Sequence, residues 1–161
     1  MASKSKIEGF ENIDRLFRQL ARPQDFCEAA VGEAAPVLLK SAKESVHKAI
    51  YQPPTPRKNE RAEGPTGKLE NSFMASKPKT NAYGSFSSVQ PVGFREDKTV
   101  SKGKKMHYSA QAAFLEWGTN EGQAPSPWRA RAVKDAEDEC ANVMEKTVIR
   151  KINEFWEVED G

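Results

Sequence analysis

Apolar positions recur every three or four residues over the first fifty positions. Ile7, Phe10, Ile13, Leu16, Phe17 and Leu20 line one side of a helix, with Glu11, Asn12, Asp14 and Arg15 between them, and Pro23 closes it. Phe26, Ala30, Ala34, Val37, Leu38, Ala42, Val46 and Ala49 carry a second stripe to about Ile50, with Asp25 as its N-terminal charge. Pro36 sits inside that stripe. It removes one intrahelical hydrogen bond, which predicts a kink or a break there. The segment 7–50 is therefore read as two helices.

Residues 51–67 hold Pro53, Pro54, Pro56, Gly64, Pro65 and Gly67 among charges, a composition that predicts a solvated loop. It is long for a loop, which suits an arm that orders against a neighbour. From Leu69 the pattern becomes extended: Leu69, Asn71 and Phe73 alternate, and Tyr83, Phe86, Val89, Val92 and Phe94 lie among Ser, Gly and Pro91. This predicts two strands, the second bulged or at an edge. Residues 95–106 form the tip of a long hairpin whose return strand is Tyr108 to Trp117, so that an antiparallel sheet spans 68–119 and ends at Gly118-Thr119. The last element is a helix over 127–155. Ser126 is its N-cap and Pro127 its first residue; Trp128, Ala132, Ala136, Cys140, Val143, Met144, Val148, Ile152 and Phe155 follow one face. At 1.5 Å per residue it runs about 43 Å, and Trp156, beyond the stripe, needs a partner to cover it. The expectation is a single α+β domain over 1–161: two N-terminal helices, a small antiparallel sheet with a long hairpin, one long C-terminal helix and an acidic tail at 156–161.

A chain of 161 residues suits one core. No apolar run approaches the roughly 20 residues of a membrane span, and the start of the chain lacks a signal-peptide core, so a cytoplasmic site of synthesis and no membrane partner are expected. A net charge of +2 argues little, but its distribution is uneven. Arg95, Lys98, Lys102, Lys104 and Lys105 outnumber Glu96 and Asp97 at the hairpin tip, whereas Glu154, Glu157, Glu159 and Asp160 have no basic residue among them. Positive tips also discourage strand-to-strand aggregation, the plainer reading of that loop.

Candidate chemistry is sparse. Cys27 and Cys140 are far apart within helical patterns and are expected to be buried, inert thiols. His47 and His107 lack a second ligand at metal-binding spacing and are expected at the surface or in packing, so no metal or other cofactor is expected. Gly64-Pro65-Thr66-Gly67-Lys68 fails the phosphate-loop spacing. Asp135, Glu137, Asp138 and Glu139 read as the solvated face of a helix. Glu116 is expected to pair with a cation such as Arg129 or Arg131, within the chain or across a subunit contact, or else to face water. No nucleophile elbow is present, so catalytic residues are not assigned and an enzyme is not expected.

Three stretches, in order, resemble the signature of the gene-product-ten-like morphogenesis family of Hong-Kong-ninety-seven-type phages, known as neck or tail-completion proteins. They are Thr66-Gly67-Lys68-Leu69-Glu70-Asn71-Ser72; Tyr108 through Phe114-Leu115-Glu116-Trp117-Gly118-Thr119; and Ala124-Pro125-Ser126-Pro127-Trp128-Arg129-Ala130-Arg131-Ala132. Trp117 and Trp128 stand where phenylalanine is more usual in the family. The resemblance implies an α+β structural subunit of the virion between head and tail, forming a homo-oligomeric ring that joins the tail tube to the head and contacts other neck and tail proteins. The opposite charges of the hairpin tip (Arg95, Lys98, Lys102, Lys104, Lys105) and the C-terminal end (Glu154 and Glu157, with the uncharged Trp156 between them) suit head-to-tail contact around such a ring. The alternative is a DNA-binding accessory module using the basic loops, in which Lys102, Lys104, Lys105, Arg57, Lys58 and Arg61 contact phosphates; DNA passing through a neck channel would touch the same tip.

Overall fold

The computed structural model describes residues 23–51, 67–99, 104–120 and 123–157. Two long helices dominate it. Helix α1 spans Pro23–Tyr51 and buries Ala30, Ala34, Ala35, Ser41, Ala42, Ser45, Val46 and Ala49, nearly all small. Small side chains let a second helix approach closely. That helix is the last element, Trp128–Glu157, labelled α4 below. It runs antiparallel to α1: Ser41 Oγ donates to the Ala132 carbonyl at 2.8 Å, Cys140 Sγ lies 3.7 Å from the Ala34 carbonyl, and Thr147 and Arg150 reach Glu33. Side chains bonding directly to the partner's backbone are what an alanine-lined contact permits.

Between the two lie short elements: α2 (Lys68–Asn71), β1 (Phe73–Ala75), β2 (Lys79–Asn81), β3 (Gly84–Phe86), β4 (Val89–Pro91), β5 (Phe94–Thr99), β6 (Lys105–His107) and α3 (Tyr108–Trp117). The strands form three two-stranded antiparallel ribbons, β1 with β4, β2 with β3 and β5 with β6. Phe73 pairs with Pro91, Lys79 with Phe86, and Phe94 with His107. The core joins Ala42, Val46 and Ala49 of α1 to Leu69, Phe73, Ala112, Leu115, Trp128 and Ala132, with Leu39, Ile50, Val89 and Tyr108 packed around it. The Phe73 and Trp128 rings meet edge-to-face, 5.2 Å between centroids, the arrangement aromatic quadrupoles prefer.

The α+β class holds, with a long helix at each end of the described fold and small antiparallel ribbons between them. Several finer expectations do not. The segment Tyr108 to Trp117 is a helix and not the return strand of a hairpin. Its Ala110, Ala112 and Ala113 favour helix, and Tyr108, Ala112 and Leu115, spaced four and three apart, point into the core. The return strand is instead the three residues of β6. Most of the stretch 95–106, expected as a tip, is itself strand, with an irregular register between Arg95 and Thr99. Leu69 does not begin a strand: Lys68–Asn71 is a helical turn, which Gly67 opens at φ 69°, and the strand starts at Phe73. Helix α1 continues through Pro36 without a break. Pro36 itself is exposed, whereas the neighbouring Ala34 and Ala35 are buried. The helix expected over 7–20, the Pro-rich loop from 52 to 66, and residues 158–161 of the acidic tail lie outside the described residues.

Candidate assembly surface at the α3–α4 corner

Helix α3 ends where Gly118, at φ 78°, turns the chain and donates its N–H to the Phe114 carbonyl at 2.9 Å. Glycine is required twice over: the positive φ disfavours any side chain, and a Cβ there would stand 2.5 Å from the Gln123 carbonyl oxygen. The turn is then cross-tied. Thr119 N–H donates to the Gln123 carbonyl (3.0 Å), Gln123 N–H to Thr119 Oγ1 (3.3 Å), Gln123 Nε2 to the Phe114 carbonyl (3.1 Å) and Ser126 N–H to the Leu115 carbonyl (2.7 Å).

At the start of α4, the expected cap is not the one used. Ser126 is buried, its hydroxyl has no hydrogen-bond partner, and only its carbonyl serves, accepting Trp128 N–H at 2.7 Å. The capping acceptor comes from α3: Glu116 Oε2 takes the Arg129 backbone N–H at 3.0 Å. A carboxylate there satisfies one of the orphan donors of the first turn and complements the positive end of the helix dipole. Glu116 thus meets Arg129 within the chain, but through the backbone amide and not through the guanidinium. That leaves the guanidinium free to lie over two indoles, 5.1 Å from the Trp117 ring centre and 5.3 Å from that of Trp128. Trp128 is anchored: it is buried, and its indole N–H donates to the Ala112 carbonyl at 3.0 Å. Trp117 is 66% exposed, with Phe114 and Val133 also exposed nearby on the two helices. The outer face of the corner therefore presents aromatic surface and a cation, held on rigid elements.

Glu116, Trp117, Gly118, Thr119, Trp128 and Arg129, singled out in the sequence, are gathered at this corner. Pro127 is exposed beside it. Leu69 is in the core, and Tyr108 packs against the core while its N–H donates to the Gly93 carbonyl at 3.1 Å. Elsewhere, Lys104 and Lys105 are exposed on the β5–β6 ribbon, Arg95 is half-buried opposite Met106, and the His107 and Phe94 rings lie tilted at 58° with centroids 4.2 Å apart. Thr66 and Lys102, and the side chains of Lys98, Trp156 and Glu157, lie outside the described residues. Asp135, Glu137, Asp138 and Glu139 are exposed, as a solvated helix face requires. Cys27, however, is exposed, not buried, and Cys140 is half-buried against α1, where desolvation, and after it the nearby Glu139 charge, raises its pKa.

One polar cluster had no signal in the sequence. Glu33 on α1 accepts the Thr147 hydroxyl at 2.8 Å and pairs with Arg150, partners more than 110 positions away. The Thr147 hydrogen bond, and after it the Arg150 guanidinium, holds the Glu33 carboxyl below its ordinary pKa. Glu154 is paired too, with Lys151 Nζ at 2.7 Å and Arg150 Nε at 3.4 Å, so the first acid of the C-terminal run is neutralised within its own helix. Among the described residues no group of His, Cys, Asp and Glu could hold a metal ion, and no helix is long and apolar enough to cross a membrane. Comparison with known proteins gives no significant match to a family model, a curated protein or a solved structure.

Proposed function

We propose that this chain is a structural subunit of the head-to-tail connection of a long-tailed bacteriophage, a tail-completion or tail-terminator-like protein of the neck that assembles into a ring in the host cytoplasm and is not an enzyme. The observation that carries this reading is that the second and third stretches on which the family resemblance rests fold against each other into one cross-tied corner, and the first supplies Leu69 to the core behind it. Such a corner offers a rigid, partly aromatic surface of the kind subunit contacts use. The test is light scattering coupled to size exclusion across concentration and salt. A discrete closed oligomer with rotational symmetry on imaging is expected; a monomer at every concentration overturns the self-assembling ring.

A second reading, DNA contact through the hairpin, is favoured by the exposure of Lys104 and Lys105 on the β5–β6 ribbon. Phosphate contacts release counterions, so duplex binding would weaken linearly on a logarithmic scale with salt. Salt-insensitive or absent binding excludes it.

A further inference from the structure

We infer that the α3–α4 corner, with Trp117, Phe114, Arg129 and Val133 on its face, is the docking site for the C-terminal end of α4 of a second copy of this chain. The inference deepens the self-assembling reading above and rests on it.

The corner leaves apolar groups and a cation uncovered side by side. Trp117, Phe114 and Val133 are exposed apolar groups on the two helices that meet at Arg129, whose guanidinium lies over both indoles. Arg131 and Lys134 add two more cations within the first two turns of α4. A complementary partner would carry aromatic or aliphatic side chains interleaved with carboxylates. This sequence contains such a stretch at the far end of the same helix, beyond the internally paired Glu154: Phe155-Trp156-Glu157-Val158-Glu159-Asp160.

A chain's own stretch cannot reach its own corner. From Arg129 to Glu157 is 28 residues of continuous helix, about 42 Å. Asp160 lies only three residues further on, a reach of about 10 Å even when fully extended. The contact can therefore form only between copies. It joins two different surfaces, so it repeats from copy to copy and closes into a ring where the rotation allows. Both positive features carry exposed apolar surface, Phe94 on the β5–β6 hairpin and Trp117, Phe114 and Val133 at the corner; the corner is preferred because it offers the larger apolar set beside its cations.

The test is sedimentation velocity at low salt on the wild type, a corner pair (W117S, R129E), a tail pair (E157K/E159K) and a hairpin pair (K104E/K105E), with circular dichroism to verify folding. Trp117 is exposed and its replacement leaves the core intact, so W117S separates docking from folding. Each corner or tail variant is expected to weaken self-association by about tenfold or more. A corner variant mixed with the tail variant retains one intact corner and one intact tail, so the mixture is expected to form a one-to-one heterodimer and nothing larger. Wild-type assembly that survives the corner variants, or is lost only in the hairpin pair, overturns this docking site and leaves the ring standing. A wild type that stays monomeric overturns both.

Discussion

Glu116 illustrates how one side chain ties two helices together. Its carboxylate lies on α3 but satisfies a donor of α4, 13 residues later. Glu116→Ala should cost about 1 kcal/mol, as other lost N-terminal caps do, with Glu116→Gln costing less because it keeps an acceptor; urea unfolding monitored by circular dichroism measures both. Glu33 makes a pH-dependent contribution. Its folded pKa is depressed, so its stabilisation is present above the ordinary carboxylate range and is lost as pH falls through the folded value. Thr147→Val removes the first cause of that depression. In the variant, the Glu33 carboxyl followed by NMR should titrate nearer the ordinary range, and stability should fall less steeply below about pH 5. An unchanged titration would mean that Arg150 alone sets it.

Among the elements, the corner turn depends on Gly118. Gly118→Ala must accommodate both the positive φ and a Cβ 2.5 Å from a backbone oxygen, so a stability loss of about 1–3 kcal/mol is expected, read as a lower thermal midpoint. The elements also divide sharply in how legible they were. The last helix was predicted over 127–155 and observed as Trp128–Glu157 because its 3.6-residue stripe continues for eight turns. Helix α3 was misread because Tyr108, Ala110, Ala112 and Phe114 alternate as a strand would, and ten residues give too few periods for Ala112 and Leu115 to outweigh them. Ser126 reads as the cap from the local sequence; a carboxylate supplied by another element leaves no mark at the cap position. The residues of the corner were visible as motifs, but their convergence was not, since it depends on Gly118 turning α3 back onto α4.

At the scale of the molecule, α1 and α4 act as a clamp whose closeness depends on small side chains. Ala136 is buried one turn from both Ala132 and Cys140, which meet α1 directly. Ala136→Leu should force the helices apart at a cost of about 1–3 kcal/mol, read as a lower thermal midpoint with helix content retained. The sequence stripes mark much of the inward face of each helix, though Met144 of the last stripe is exposed and the buried Thr147 lies off it; that the two faces meet is not legible, because the contacts join positions 91 to 117 apart.

That separation bears on how the protein is made. Arg150 is synthesised 117 residues after Glu33, which at about 5–20 residues per second is a delay of roughly 6 to 23 s. For much of it α1, which ends at Tyr51, is complete while α4, which packs on its alanine-lined face, is not. The nascent chain therefore passes through an interval in which one of its two long helices is available to chaperones, and to other unfinished copies, before its own last helix covers it.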